Sequence, residues 1–139
     1  MDNNKKPSRQ TSFSESRARD LITTAEDYTE LIADLIIEKG EARIGEIAQI
    51  LDISHVTALK TIQRLIRDGY VKKDHRKPVL LTKKGEQLAT YCKERHNIVL
   101  DLLLKIGVPL VNAEIDAEGI EHHVSDSTLK VFKKFIRKN

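Results

Sequence analysis

The stretch "IGEIAQILDISHVTALKTIQRLIRDG", residues 44–69, most constrains what this chain can fold into. Ile44, Ile47, Ala48 and Leu51 keep the spacing of one face of a short helix. Asp52-Ile53-Ser54 breaks the pattern with a tight turn, and Ser54 is placed to cap the next helix. Val56, Leu59, Ile62, Leu65 and Ile66 mark that helix as far as Asp68-Gly69. Two short helices across so brief a turn make a helix-turn-helix pattern.

The flanks extend it. Thr23-Thr24-Ala25-Glu26 fits a capping box. Tyr28, Leu31, Ile32, Leu35 and Ile36 follow at helical spacing, and Gly40 is a C-terminal stop. After the second short helix, "YVKKDHRKPVLLT" places β-prone Tyr70-Val71 and Val79-Leu80-Leu81 around a Lys/Arg/His/Pro tip. A hairpin in that position is a wing. Lys84-Gly85 opens a long helix through Ile106, with Leu88, Ala89, Ile98, Val99, Leu102 and Leu103 apolar. Pro109 starts a further helix. Ser125 caps a last one, with Leu129, Phe132, Phe135 and Ile136 on one side. The fold class is mainly α, an N-terminal winged helix-turn-helix with a small β-hairpin wing followed by an all-α half. Residues 1–19 are polar and aperiodic, a disordered basic tail; 20–84 form the winged domain and 85–139 the helical one.

The 139 residues suit one compact domain or two very small ones. No apolar run nears the ~20 residues of a membrane span, and the start lacks a signal peptide's apolar segment. A cytoplasmic protein without a membrane partner is expected. Cys92 is the single cysteine, so no intrachain disulfide is possible. Charge is unevenly spread. Residues 20–38 carry six acids and no base, whereas 39–87 carry eleven bases against six acids. A basic middle points to nucleic acid.

In a recognition helix the N-terminal residues face base edges, here Ser54, His55, Thr57, Lys60 and Thr61. Arg64, Lys72, Lys73, Arg76 and Lys77 are the phosphate contacts. The competing view is a protein-interaction domain whose Lys and Arg form a solvated face.

The second cluster is "DAEGIEHHVS", residues 116–125. On a helix Glu118, Glu121 and His122 are i, i+3 and i+4 and share a face. Two carboxylates and an imidazole can begin an octahedral site for a hard divalent cation but cannot complete one. An inverted zinc-protease motif would need His at position 118, and a di-iron bundle would need a second Glu-x-x-His pair. A solvated helix face stays open. Asp27 and Glu30, i and i+3 on the first helix, and His96 on the long helix are the other candidates.

Together "DYTELIADLIIEKGEARIGEIAQIL", "RLIRDGYV", "LTKKGE", "ERH" and "DAEGIEHHVS" resemble the manganese transport regulator (MntR) family, within the diphtheria-toxin-repressor/iron-dependent-repressor superfamily. The resemblance spans about residues 23–138. It implies a metal-binding and dimerisation role for 85–139 and two Mn²⁺ per protomer, held by Asp27, Glu30, His96, Glu118, Glu121 and His122. Glu118 and Glu121 would bridge the ions, Asp27 and His122 completing one site and Glu30 and His96 the other. Four carboxylates and two neutral imidazoles offset two dications, and hard ligands suit Mn²⁺. Iron-responsive relatives carry Met and Cys at the positions of Asp27 and Glu118. His123 points about 100° away from the ligands, and Cys92 is a small buried or half-buried residue off the ligand positions. The chain departs from the family at Val56, often Pro, and at Lys77-Pro78, often Gly.

The resemblance implies a manganese-activated repressor of manganese-transport genes. It would be a homodimer on a palindromic double-stranded DNA operator, with a dimer core around Leu100, Leu102–Leu104, Ile115 and Phe132 and no small-molecule substrate. An iron-responsive repressor of the same fold and a metal-independent winged-helix regulator are the alternatives. A metallohydrolase would need a separate acid–base set that the sequence does not offer.

Overall fold

A computed structural model describes residues 4–138. The chain runs α1 (Arg9–Lys39), α2 (Ile44–Leu51), α3 (His55–Arg67), β1 (Val71–Lys72), β2 (Leu80–Leu81), α4 (Lys83–Lys105), α5 (Leu110–Ile120), a 3₁₀ turn (Glu121–His123) and α6 (Asp126–Lys138). It divides into two units, Ala25–Asn97 and Met1–Thr24 with Ile98–Asn139. Among the described residues no helix is long and apolar enough to cross a membrane.

Ala25–Asn97 is the winged helix-turn-helix. Tyr28, Ile32 and Leu35 of α1, Ile44, Ile47 and Ala48 of α2, and Ala58, Ile62 and Leu65 of α3 form one buried cluster with Val71, Val79 and Leu81 of the hairpin. The turn after α2 closes as expected. Asp52 adopts a left-handed backbone (φ 55°), and its N–H bonds Ala48 O and Gln49 O. The Ser54 hydroxyl accepts from the Thr57 N–H at 3.1 Å, capping α3. The core stripe of α3 is turned from the one expected. Ala58, Ile62 and Leu65 face inward, while Val56 is 60% and Leu59 36% exposed. Small Ala48 and Ala58 are the residues that let these two helices approach closely.

The wing has register Val71↔Leu81 and Lys72↔Leu80. It is widened by a bridge the sequence does not announce, the Val79 N–H donating to Ala42 O at 2.7 Å. Arg76 at the tip has φ 62°. Thr82 joins the wing to α4. Its hydroxyl donates to Gly69 O at 2.6 Å and accepts from the Gly85 N–H at 3.1 Å. Gly85 is there because nothing larger fits, since a Cβ would lie 2.1 Å from the Tyr70 carbonyl oxygen. Lys84 closes the same corner, donating to Asp68 O at 2.8 Å and standing 4.2 Å from the Tyr70 ring centroid.

In the second unit Val99, Ala117 and Leu129 form a small core flanked by Ile98, Leu100, Leu103 and Val124. Ser125 caps α6, accepting from the Thr128 N–H at 3.2 Å. Lys105 Nζ donates to Ile136 O at 2.6 Å and ties α4 to the end of α6. Much apolar surface stays exposed. Ile115 is 67% and Val111 72% exposed, and Phe135 is exposed too, although Leu129 on the same side of α6 is buried.

The start of α1 corrects two expectations. The helix begins at Arg9, with Ser8 as its cap (Thr11 N–H to Ser8 Oγ, 3.1 Å), far ahead of Thr23. The expected disordered tail is therefore helical from Arg9, and residues 1–3 of it lie outside the described residues. Residues 9–16 are exposed throughout, so this part of the helix carries no apolar stripe to betray it. The Thr23–Glu26 capping box cannot form inside a continuous helix, and Glu26 has a different partner.

Gly85→Ala is expected to lower unfolding free energy by about 2 kcal/mol or more, because backbone must move to admit the methyl group. Urea denaturation followed by circular dichroism checks this; a variant as stable as the parent contradicts the close approach.

Candidate metal centre and nucleic-acid interface

On the winged-helix side, α1 carries Asp27 and Glu30 one turn apart, both half-buried, and α4 carries His96, also half-buried. Beside them lies a feature absent from the sequence expectations. Arg95 Nη2 sits 2.6 Å from Glu26 Oε2, with side-chain exposures of 6% and 3%. Thus α1 and α4 are joined by a buried ion pair whose two members directly precede Asp27 and His96 in the chain. The Cys92 thiol completes the group, donating to Glu26 Oε2 at 3.5 Å with Arg95 Nη2 3.8 Å from its sulfur. Burial, with the Glu26 carboxylate adding to it and Arg95 opposing it, pushes the thiol far above its usual range. Cys92 is therefore a buried, protonated thiol. The Thr29 hydroxyl donates to the Glu26 carbonyl at 3.1 Å, one further bond inside this turn of α1. The signal that could have found the pair is an Arg on α4 set between buried Cys92 and Val99.

In the second unit the expected single helix is broken. α5 ends at Ile120, and Glu121, His122 and His123 form a 3₁₀ turn. The chain has only Glu121–Val124 in which to leave α5 and reach the Ser125 cap, and a tightened last turn is the usual device. Glu118 is exposed on the last turn of α5. Glu121 is fully buried and His122 7% exposed, with Glu121 Oε1 3.6 Å from His122 Nε2. His123 is exposed, as expected of a residue directed away from the ligands.

This donor set fits a hard divalent cation. A buried carboxylate keeps its charge only where positive charge, hydrogen bonds or a metal offset its lost hydration, and Glu121 is such a buried group beside His122. The candidates are carboxylate and imidazole throughout, with no sulfur among them. Asp116, Ile120 and His123 line an open cavity of about 510 Å³ with Ile115, Gly119 and Val124, beside the turn that carries these donors.

On α3, Ser54, His55, Thr57, Lys60 and Arg64 are exposed and Thr61 is half-buried; on the wing, Lys72, Arg76 and Lys77 are exposed and Lys73 is half-buried. Three hydroxyls are engaged within the helix. Ser54 Oγ donates to Thr57 Oγ1 at 2.9 Å, and Thr61 Oγ1 donates to Thr57 O at 3.1 Å. His55, Lys60 and Arg64 project outward, together with the apolar Val56 and Leu59 that the expected stripe places inside. Lys73 Nζ donates to Asp74 O at 3.3 Å, and the Lys77 N–H to the same carbonyl at 3.1 Å, which shapes the wing tip.

Comparison with known proteins assigns the chain to a family. Residues 20–79 match the family described as "Iron dependent repressor, N-terminal DNA binding domain", and residues 82–139 match "Iron dependent repressor, metal binding and dimerisation domain". The chain is 45% identical over 125 residues to the transcriptional regulator MntR of Salmonella typhimurium, covering 90% of this chain and 78% of the relative. Among solved structures, the manganese regulator SloR superposes with a TM-score of 0.71 at 27% identity, covering 83% of this chain and 54% of SloR. A manganese-dependent transcriptional repressor in complex with manganese gives 0.72 at 26%, covering 81% and 52%. The chain thus spans about half the length of these solved structures. It has both of the matched domains in order and belongs to the iron-dependent repressor family, as a DNA-binding transcriptional regulator with a metal-binding domain and not as an enzyme.

Proposed function

We propose that this chain is a cytoplasmic, manganese-activated homodimeric repressor of manganese-transport genes, binding two Mn²⁺ per protomer. The observation that carries this reading is the donor chemistry of the buried Glu121–His122 turn together with Asp27, Glu30, His96 and Glu118. Four carboxylates and two imidazoles, with Cys92 locked away as a thiol beside Glu26, form a hard set suited to Mn²⁺. The assignment is that Asp27 and His122 would complete one site and Glu30 and His96 the other, with Glu118 and Glu121 shared by both. Two similar solved structures support the choice of metal, being named for manganese regulation.

Residues 20–84 are assigned to DNA and 85–139 to metal and dimerisation. His55 and Lys60 face base edges, with Ser54, Thr57 and Thr61 shaping the start of the reading helix. Arg64, Lys72, Lys73, Arg76 and Lys77 hold phosphates of a palindromic operator. Exposed Ile115 and Leu104, with Leu100, Leu102, Leu103 and Phe132, form the dimer surface. When bound, Mn²⁺ supplies the positive charge that lets the carboxylates of α1 and of the α5 end share one site. Without it they repel, and the reading helices of the dimer sample more orientations. Differential binding then raises the DNA-competent population.

Glu118→Ala is expected to remove both the second Mn²⁺ and manganese-dependent operator binding while leaving a folded dimer. Metal analysis after gel filtration and fluorescence anisotropy read the two losses, and an unchanged Mn²⁺ response sinks the ligand assignment. Arg76→Ala is expected to weaken binding to all sequences alike and to flatten the slope of log K against log salt by about one unit for the phosphate it releases. A loss confined to one base pair contradicts a phosphate role.

A further inference from the structure

The buried Glu26–Arg95 pair has no place in the ligand set, yet each of its members stands one residue before a proposed ligand. We propose that Glu26 and Arg95 are positioning residues that set the register of α1 against α4 and so pre-form the Asp27, Glu30 and His96 half of the metal site. The inference rests on the manganese reading above.

Three observations support it. First, the pair is specific in position and closed to water, with Oε2 and Nη2 2.6 Å apart at 3% and 6% exposure. A one-residue slip of either helix turns its member by about 100° and breaks the ion pair. Second, such pairs add little net stability, because the desolvation of both charges offsets their attraction; a hydrophobic replacement of similar volume is often neutral or stabilising. What the pair does contribute is one geometry. Third, the neighbouring groups serve the same end. The Cys92 thiol donates to the same Glu26 Oε2 that Arg95 pairs with, so two groups on α4 hold one carboxylate oxygen. The ordering of Asp27 and His96 is then completed in folding rather than on metal binding, which lowers the cost of binding.

The test uses the full chain and Mn²⁺ alone. Free Mn²⁺ is read by electron paramagnetic resonance, and the melting temperature of the metal-free protein by circular dichroism. The double variant Glu26→Leu/Arg95→Met is expected to melt at or above the parent temperature yet bind Mn²⁺ about tenfold or more weakly. Glu26→Gln, which keeps the side-chain shape, is the second variant should the double one not fold, and it is expected to show the same direction of change. Arg95→Lys, which keeps the charge, is expected to retain more affinity than Arg95→Met. Folded variants that bind Mn²⁺ within about twofold of the parent overturn the positioning role alone. A parent chain that binds no Mn²⁺ overturns the manganese reading and this inference with it.

Discussion

A carboxylate and a guanidinium 2.6 Å apart, both withdrawn from water, hold α1 to α4 in the winged-helix unit. Removing one partner of such a pair strands the other charge in the interior, at a cost of about 3–5 kcal/mol. The interaction therefore leaves the helices little choice of alignment. Around it the same helix α1 turns Tyr28, Ile32 and Leu35 into the core shared with α2, α3 and the wing. On its other side it presents Asp27 and Glu30. One ion pair thus links the packing of a DNA-reading module to the placement of acidic donors, and this is the coupling a metal-dependent regulator needs.

The helix-turn-helix is legible in the sequence because its signals are local and redundant. The stripe Ile44, Ile47 and Ala48, the turn at Asp52 and the cap at Ser54 each say the same thing, and all three occur. The caps at Ser54 and Ser125 are legible for that reason. The role of Glu26 is not. Its spacing from Thr23 imitates a capping box, while its true partner lies on α4, and no local pattern encodes a pairing over that separation. The start of α1 is hidden because residues 9–16 are exposed throughout and leave no period to read. The inward face of α3 is obscured because a small residue, Ala58, occupies the contact, whereas the hydrophobic bulk lies at Val56 and Leu59.

The six proposed ligands show the same divide. Their types and their helices are visible, but the 3₁₀ turn that buries Glu121 and His122 is not, since "GIEHHVS" continues a helical pattern on paper. Spacing alone cannot group three stretches far apart in the chain; the proposal that they share one site comes from the resemblance to known regulators. At the wing tip, Arg76 adopts a left-handed backbone that costs an L-residue about 1–2 kcal/mol. Keeping an arginine there sets a long cation at the tip of a hairpin already rich in Lys and Arg.

If the donors and the reading helix form one switch, bound metal decides whether the operator is held. The most direct measurement is fluorescence anisotropy of labelled DNA from manganese-transporter promoters, titrated with the full chain at fixed salt in chelator, Mn²⁺, anaerobic Fe²⁺ or Zn²⁺. The account predicts tight, sequence-selective binding in Mn²⁺ and only weak nonspecific binding in chelator. Equal binding in chelator would contradict it and leave a constitutive DNA-binding protein. Activation by Fe²⁺ at lower free concentration than Mn²⁺ would keep the switch but reassign its metal.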